Sequence, residues 1–156
     1  MNQAELLNKK ANSEFTNLTE HGYFEELEVI AQQIKNCKNR FDISFYLEMQ
    51  DKLTYVSGEI NNSYIGLLAE LESYIVIRKQ QVVLESYKYK GEFTVNGEKT
   101  KITATLLNSV LSSLIRGEVA DLYKVNIILE GKLKHIMNMI QTCRSHLYTK
   151  EIKRED

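Results

Sequence analysis

The stretch IRGEVADLYKVNIILEGKLKHIMNMIQTCRSHL, Ile115 to Leu147, decides the reading of this chain. Apolar residues recur in it on a seven-residue beat. One register holds Ile115, Leu122, Leu129, Ile136 and Cys143, the other Val119, Asn126, Leu133, Ile140 and Leu147. A four-three alternation sustained this long lays one narrow apolar seam along a helix, the pattern required for wrapping against another helix. Asn126 alone breaks it, and a single amide at such a position fixes register or partner number at a cost in stability.

A second stripe precedes it. Tyr46, Leu53, Val56, Ile60, Tyr64, Leu68, Leu71, Ile75 and Val82 keep helical phase across Gly58 and Asn61-Asn62, with Asp42 placed as the N-cap. The spacing predicts one helix over about 43–88, and Tyr46 to Val82 alone covers roughly 55 Å at 1.5 Å per residue. A rod of that length needs an equally long partner, which the Ile115–Leu147 stretch provides. The chain contains no proline, so nothing interrupts either helix.

Between the rods lies YKYKGEFTVNGEKTKIT, residues 87–103. Asn96-Gly97 between two β-compatible runs predicts a tight hairpin, because both central residues of the favoured turn need positive φ. Thr103 or Thr105 is placed to cap the second rod, which begins with the Leu106, Val110, Leu114 spacing; Gly117 is its weak point. Upstream, Phe24, Leu27, Ile30 and Ile34 mark a short amphipathic helix with glutamates in its first turns and lysines beyond its end. Residues 1–22 are polar and weakly periodic; a short helix over Ala4–Ala11 that docks loosely is expected there. The expected fold class is thus all-α: a long antiparallel, coiled-coil-like helical hairpin. Residues 1–41 form an N-terminal segment with a short helix, and 42–156 form the hairpin domain, with a small β-hairpin tip at 89–102.

The 156 residues are 43% apolar and 26% charged with a net charge of -1, so any anion-binding surface must be local. No signal peptide or run of about eighteen apolar residues is present, which predicts a soluble, cytoplasmic protein without a membrane partner. Cys37 and Cys143 fit that compartment as reduced thiols. No phosphate loop, nucleophile elbow or metal motif occurs. Cys143, His146 and His135 lie along one helix and do not converge as four zinc ligands. Neither catalysis nor a cofactor nor a metal is expected.

The tip carries the binding chemistry. Lys88, Lys90, Lys99 and Lys101 are interleaved with Tyr87, Tyr89 and Phe93, and Arg78 and Lys79 stand further down the first rod. Cations for phosphates beside aromatic faces for bases are what sequence-tolerant single-strand binding requires. The same lysines also serve to keep a short exposed ribbon soluble. Arg78 falls on the apolar seam, where a charge needs a partner, and Glu118 is the residue expected opposite it. Leu122, Asn126, Leu129, Leu133, Ile136 and Ile140 are the expected oligomer seam.

The layout resembles a known family. A rod ending ELESYIVIRKQQVVLESYKYKGEF, a glycine-containing basic-aromatic turn, a second rod opening KITATLLNSVLSSL and an ending IMNMIQTCRSHLYTKEIKRED are together similar to the UvsY-like recombination mediators of tailed phages. The matching positions are Glu72, Arg78-Lys79, Tyr87 to Gly91 and Cys143-Arg144-Ser145. The resemblance implies a homo-oligomer in the host cytoplasm that binds single-stranded DNA and loads a recombinase onto strands covered by single-strand-binding protein. Arg78, Lys79, Lys88 and Lys90 would be the binding positions, with Tyr89 as the stacking residue. Two alternatives remain open: an oligomeric structural or interaction protein, such as a virion or scaffold component, and a host-defence inhibitor.

Overall fold

Asp42 caps the longest element, its carboxylate accepting the Phe45 N–H at 3.0 Å. From there α3 runs unbroken over Ile43–Lys88, so phase continuity prevailed over Gly58 and the asparagine pair. It is preceded by α1 (Gln3–Glu20) and α2 (Tyr23–Asn36) and followed by β1 (Glu92–Val95), β2 (Glu98–Lys101), α4 (Leu111–Glu118) and α5 (Ala120–Ile152). These elements come from a computed structural model, which describes residues 1–88, 91–101, 103 and 110–152, with side chains as far as Tyr148. Among the described residues the protein is thus mostly helical, with a two-stranded antiparallel sheet.

The chain divides into two compact units. The first comprises Met1–Ser13 and Ile65–Asn126 and contains the β-hairpin. The second comprises Glu14–Tyr64 and Ile127–Asp156.

In the second unit the core is Leu27 and Ile30 of α2, Tyr46, Met49, Leu53, Val56 and Ile60 of α3, and Leu129, Ile136, Met139, Ile140 and Cys143 of α5, all buried. The Tyr46 ring stacks on His146 with centroids 4.5 Å apart, which holds the start of α3 against the end of α5. Burial comes first among the causes that push the Tyr46 hydroxyl up to about 12, followed by its hydrogen bond with Cys37. Lys132 lies 5.5 Å over the Phe24 ring, which ties α5 to α2.

In the first unit the core is Leu67, Leu71, Tyr74 and Val82 of α3, Phe93 and Val95 of β1, Leu111 and Ile115 of α4, and Leu122 and Val125 of α5, with Ala11 of α1. Two expectations are corrected here. The N-terminal segment is an 18-residue helix, opened by a capping box in which Asn2 Oδ1 accepts the Glu5 N–H and the Glu5 carboxylate accepts the Asn2 N–H. Its weak periodicity reflects a narrow buried face: Ala11 is wholly covered, whereas its polar residues make the contacts described next.

The second rod is also not continuous. It is interrupted at Val119, whose φ/ψ of -115°/45° separates α4 from α5 near the start of the heptad run. Such a break leaves carbonyls at one helix end and N–H groups at the next without intrahelical partners. Asn8 of α1 answers both. Its Nδ2 donates to the Glu118 carbonyl at 3.2 Å and its Oδ1 accepts the Leu122 N–H at 3.1 Å. The cap of α5 is therefore supplied by a residue more than a hundred positions away. Of the two expected caps, Thr103 stands outside any helix and Thr105 lies outside the described residues.

The seam itself is consumed within the chain. Leu122, Leu129, Ile136 and Ile140 are buried and Leu133 is half-buried without any second copy present. Asn126 is 4% exposed; its Nδ2 donates to the Leu122 carbonyl at 3.0 Å, whereas its Oδ1 is buried without a hydrogen-bond partner among the described residues.

Asn8→Ala is expected to destabilise the protein by about 1–2 kcal/mol, the cost of a lost cap. Asn12→Ala, which removes only an exposed bond to Asp121, should stay within about 0.5 kcal/mol. Urea unfolding of the two variants checks the contrast. Asn126→Leu should raise the free energy of unfolding by about 1 kcal/mol, read from the shift of the urea midpoint, because it removes a buried oxygen without a partner among the described residues.

Candidate nucleic-acid interface

The β-hairpin is built around Asn96 (φ 54°) and Gly97 (φ 80°). Two consecutive positive φ values give the tight turn whose twist matches its strands. Glu92 pairs with Lys101, Phe93 with Thr100, Thr94 with Lys99 and Val95 with Glu98. Directly paired residues share a face, so the hairpin has two. Phe93 and Val95 point into the core, at 1% and 3% exposure. The outer face presents Lys99 and Lys101, both exposed, beside Thr94 and Glu92.

The hairpin is anchored by one carboxylate. Glu118, at the end of α4, accepts the Tyr74 hydroxyl at 2.7 Å, the Arg78 Nε at 3.0 Å and the Asn96 N–H at 3.1 Å. Arg78 also donates through Nη2 to the Thr94 carbonyl. A single ion pair thus links α3, α4 and the hairpin turn, and Asn8 binds the backbone carbonyl of the same Glu118. The Asn96 side chain lies over Gly117, where a Cβ would stand 3.3 Å from its Nδ2.

Burial by itself would push the Glu118 carboxyl up, but the hydrogen bonds from Arg78, Tyr74 and the Asn96 N–H outweigh it and hold the group below the usual carboxylate range. Arg78 mirrors this, with the cost of its burial outweighed by Glu118, which raises it. The Tyr74 hydroxyl is pushed up to about 12, by burial first and then by its bond to Glu118. An open hollow of about 510 Å³ adjoins the cluster, lined by Gln81, Gly97 and the first turn of α1 as well as by Tyr74, Arg78 and Glu118.

The residues expected to bind nucleic acid are therefore distributed unevenly. Lys88 is exposed at the last turn of α3, beside Tyr87 at 85% exposure. Lys99 and Lys101 share the outer hairpin face. Lys79 is half-buried. Arg78 is engaged by Glu118, the pairing expected from the sequence, with only 18% of its side chain exposed. Phe93 offers no face to a base, since it is core. Strand alternation explains this, because the residue before Thr94 points opposite to Lys99. Tyr89 and Lys90 lie outside the described residues. The roles of Tyr74 and Asn8 were not anticipated and could not be read from a stripe, although the Asn-x-x-Glu start of α1 was a legible capping signal.

Comparisons with protein-family models, with curated proteins and with solved structures each found no match to this chain. Function must be argued from the geometry alone. Among the described residues, no three His, Cys, Asp or Glu side chains converge to hold a metal ion, and no helix is long and apolar enough to cross a membrane.

Glu118→Gln is expected to cost about 2–4 kcal/mol at neutral pH, because it leaves the largely buried Arg78 without its counter-charge. The sign of the pH dependence follows from the lowered pKa. The contribution of Glu118 is fully present above the ordinary carboxylate range and is lost as pH falls through its folded value. Unfolding of both proteins between neutral and acid pH should show the wild-type advantage shrinking toward the acid end.

Proposed function

We propose that this protein is a non-enzymatic accessory protein that binds single-stranded nucleic acid at the hairpin, in the manner of a phage-type recombination mediator. The observation that carries the reading is the hairpin's outer face. Lys99 and Lys101 stand side by side there, on a turn held in place by the Glu118 cluster, with Lys88 and the exposed ring of Tyr87 at the adjoining end of α3. Lysines that neutralise phosphates and an aromatic face that stacks on a base are the minimal elements of sequence-tolerant binding. Glu92 on the same face limits the affinity, so binding is expected to be weak and strongly salt-dependent. Recombinase loading, contact with a single-strand-binding protein and homo-oligomer formation belong to this proposal and follow from the family resemblance.

The antiparallel, coiled-coil-like hairpin expected from the seam is supported in the second unit by the Tyr46–His146 stack between the start of α3 and the end of α5. A second reading, a helical interaction protein, is favoured by a different observation: the apolar surface that α3 leaves exposed in the first unit.

A fluorescence titration against a labelled single-stranded oligonucleotide tests the first reading. The logarithm of the affinity should fall with the logarithm of salt concentration at about 0.7 units per neutralised phosphate. Changing Lys88, Lys99 and Lys101 together to glutamine should flatten that slope without altering helix content. Tyr87→Ala should instead lower affinity by about 1–3 kcal/mol at nearly constant slope, because stacking releases no counterions. No binding by the wild type at low salt would reject the reading and leave the interaction protein.

A further inference from the structure

In the first unit, α3 carries a second apolar stripe that stays exposed among the described residues. Ile65 and Val76 are each 56% exposed, Ile77 41%, Leu84 69% and Tyr87 85%, and Ala69 is exposed between them. Ile65, Ala69, Val76, Leu84 and Tyr87, spaced by four, seven, eight and three residues, lie on one side of the helix, with Ile77 at its edge. The stripe covers about 33 Å of helix. Exposed Ser73 and Gln80 share this side of the helix and interrupt the stripe; exposed apolar patches rimmed by polar residues mark interaction sites.

The charges beside the stripe name its occupant. Glu72 and Lys79 stand seven residues apart along the same edge, and neither forms an ion pair among the described residues. Two copies of α3 packed antiparallel about a two-fold axis near Val76 would place each Glu72 opposite the other copy's Lys79, twice by symmetry. The same axis would bring Ile65 of each copy beside Tyr87 of the other and the two Val76 side chains together. Parallel packing would instead put the Glu72–Lys79 edges of the two copies on opposite flanks of the pair, where they do not meet. The edge is thus self-complementary in one orientation only, which is how flanking charges specify partner and direction in helix pairs.

We infer that the exposed face of α3 from Ile65 to Tyr87 is a homodimer interface, formed antiparallel with a second copy of this chain. This surface is distinct from the heptad seam of α5, which is filled within the chain, and it shares Tyr87 with the proposed nucleic-acid surface.

Charge reversal tests it. Sedimentation equilibrium of the full chain should show a dimer at micromolar concentration. Glu72→Lys should bring like charges together across the axis, and so should Lys79→Glu; each is expected to weaken dimerisation by about tenfold or more. The double exchange, Glu72→Lys with Lys79→Glu, should restore it, since every cross-axis pair is again of opposite sign. A merely structural effect on the helix would not be rescued in this way. A monomeric wild type would overturn the inference, and so would a dimer indifferent to the single reversals or not recovered by the double one.

Discussion

The first unit depends on a helix that stops where its apolar pattern says it should continue. At Val119 the backbone leaves the helical region, and carbonyls and N–H groups that would have bonded each other need partners elsewhere. The fold meets that demand with polar side chains. Asn8 spans the gap in both directions, and the Glu118 carboxylate at the break draws in Arg78, Tyr74 and the hairpin turn. Without the interruption Glu118 would sit in mid-helix, and the hairpin would lose its anchor. The break therefore positions the hairpin as much as the Asn96-Gly97 turn shapes it.

The cluster illustrates how buried charge is used here. Arg78 and Glu118 lose hydration that Coulomb attraction alone rarely returns in full. The surrounding bonds change the balance, because the carboxylate gathers donors from α3, α4 and the hairpin, and the guanidinium also serves a backbone carbonyl. What the arrangement contributes is placement, since each bond has one geometry and together they fix the outer hairpin face relative to α3. An apolar replacement could fill the same volume without specifying where the turn sits.

The apolar periodicities were legible. The unbroken α3, its Asp42 cap, the tight turn and the Arg78–Glu118 pairing all follow from spacing and charge in the sequence. The features that escaped are those in which one polar residue serves a distant backbone group. Asn8 sits in a segment whose periodicity is poor because its contribution is two hydrogen bonds, and hydrophobic spacing carries no record of those. The break at Val119 escaped for the complementary reason: the heptad beat persists through it, since Ile115, Val119 and Leu122 are all buried whether or not the backbone joining them is helical. Phe93 was misplaced among the exposed aromatics because strand alternation sorts neighbours by pleat, irrespective of how they cluster along the chain.

The reach of Asn8 also bears on the order in which the chain can assemble. Its partners lie 110 and 114 positions downstream, so α1 leaves the ribosome long before the groups it must satisfy exist. Throughout that interval the Asn8 side chain lacks both of its backbone partners, and the cap of α5 awaits synthesis through at least Leu122. Closing so long a loop costs entropy that local helix formation does not. The capping box of Asn2 and Glu5 gives α1 a helical start that needs no distant partner. The N-terminal helix can thus form first, while its cap on α5 is completed only once the chain has been made through Leu122.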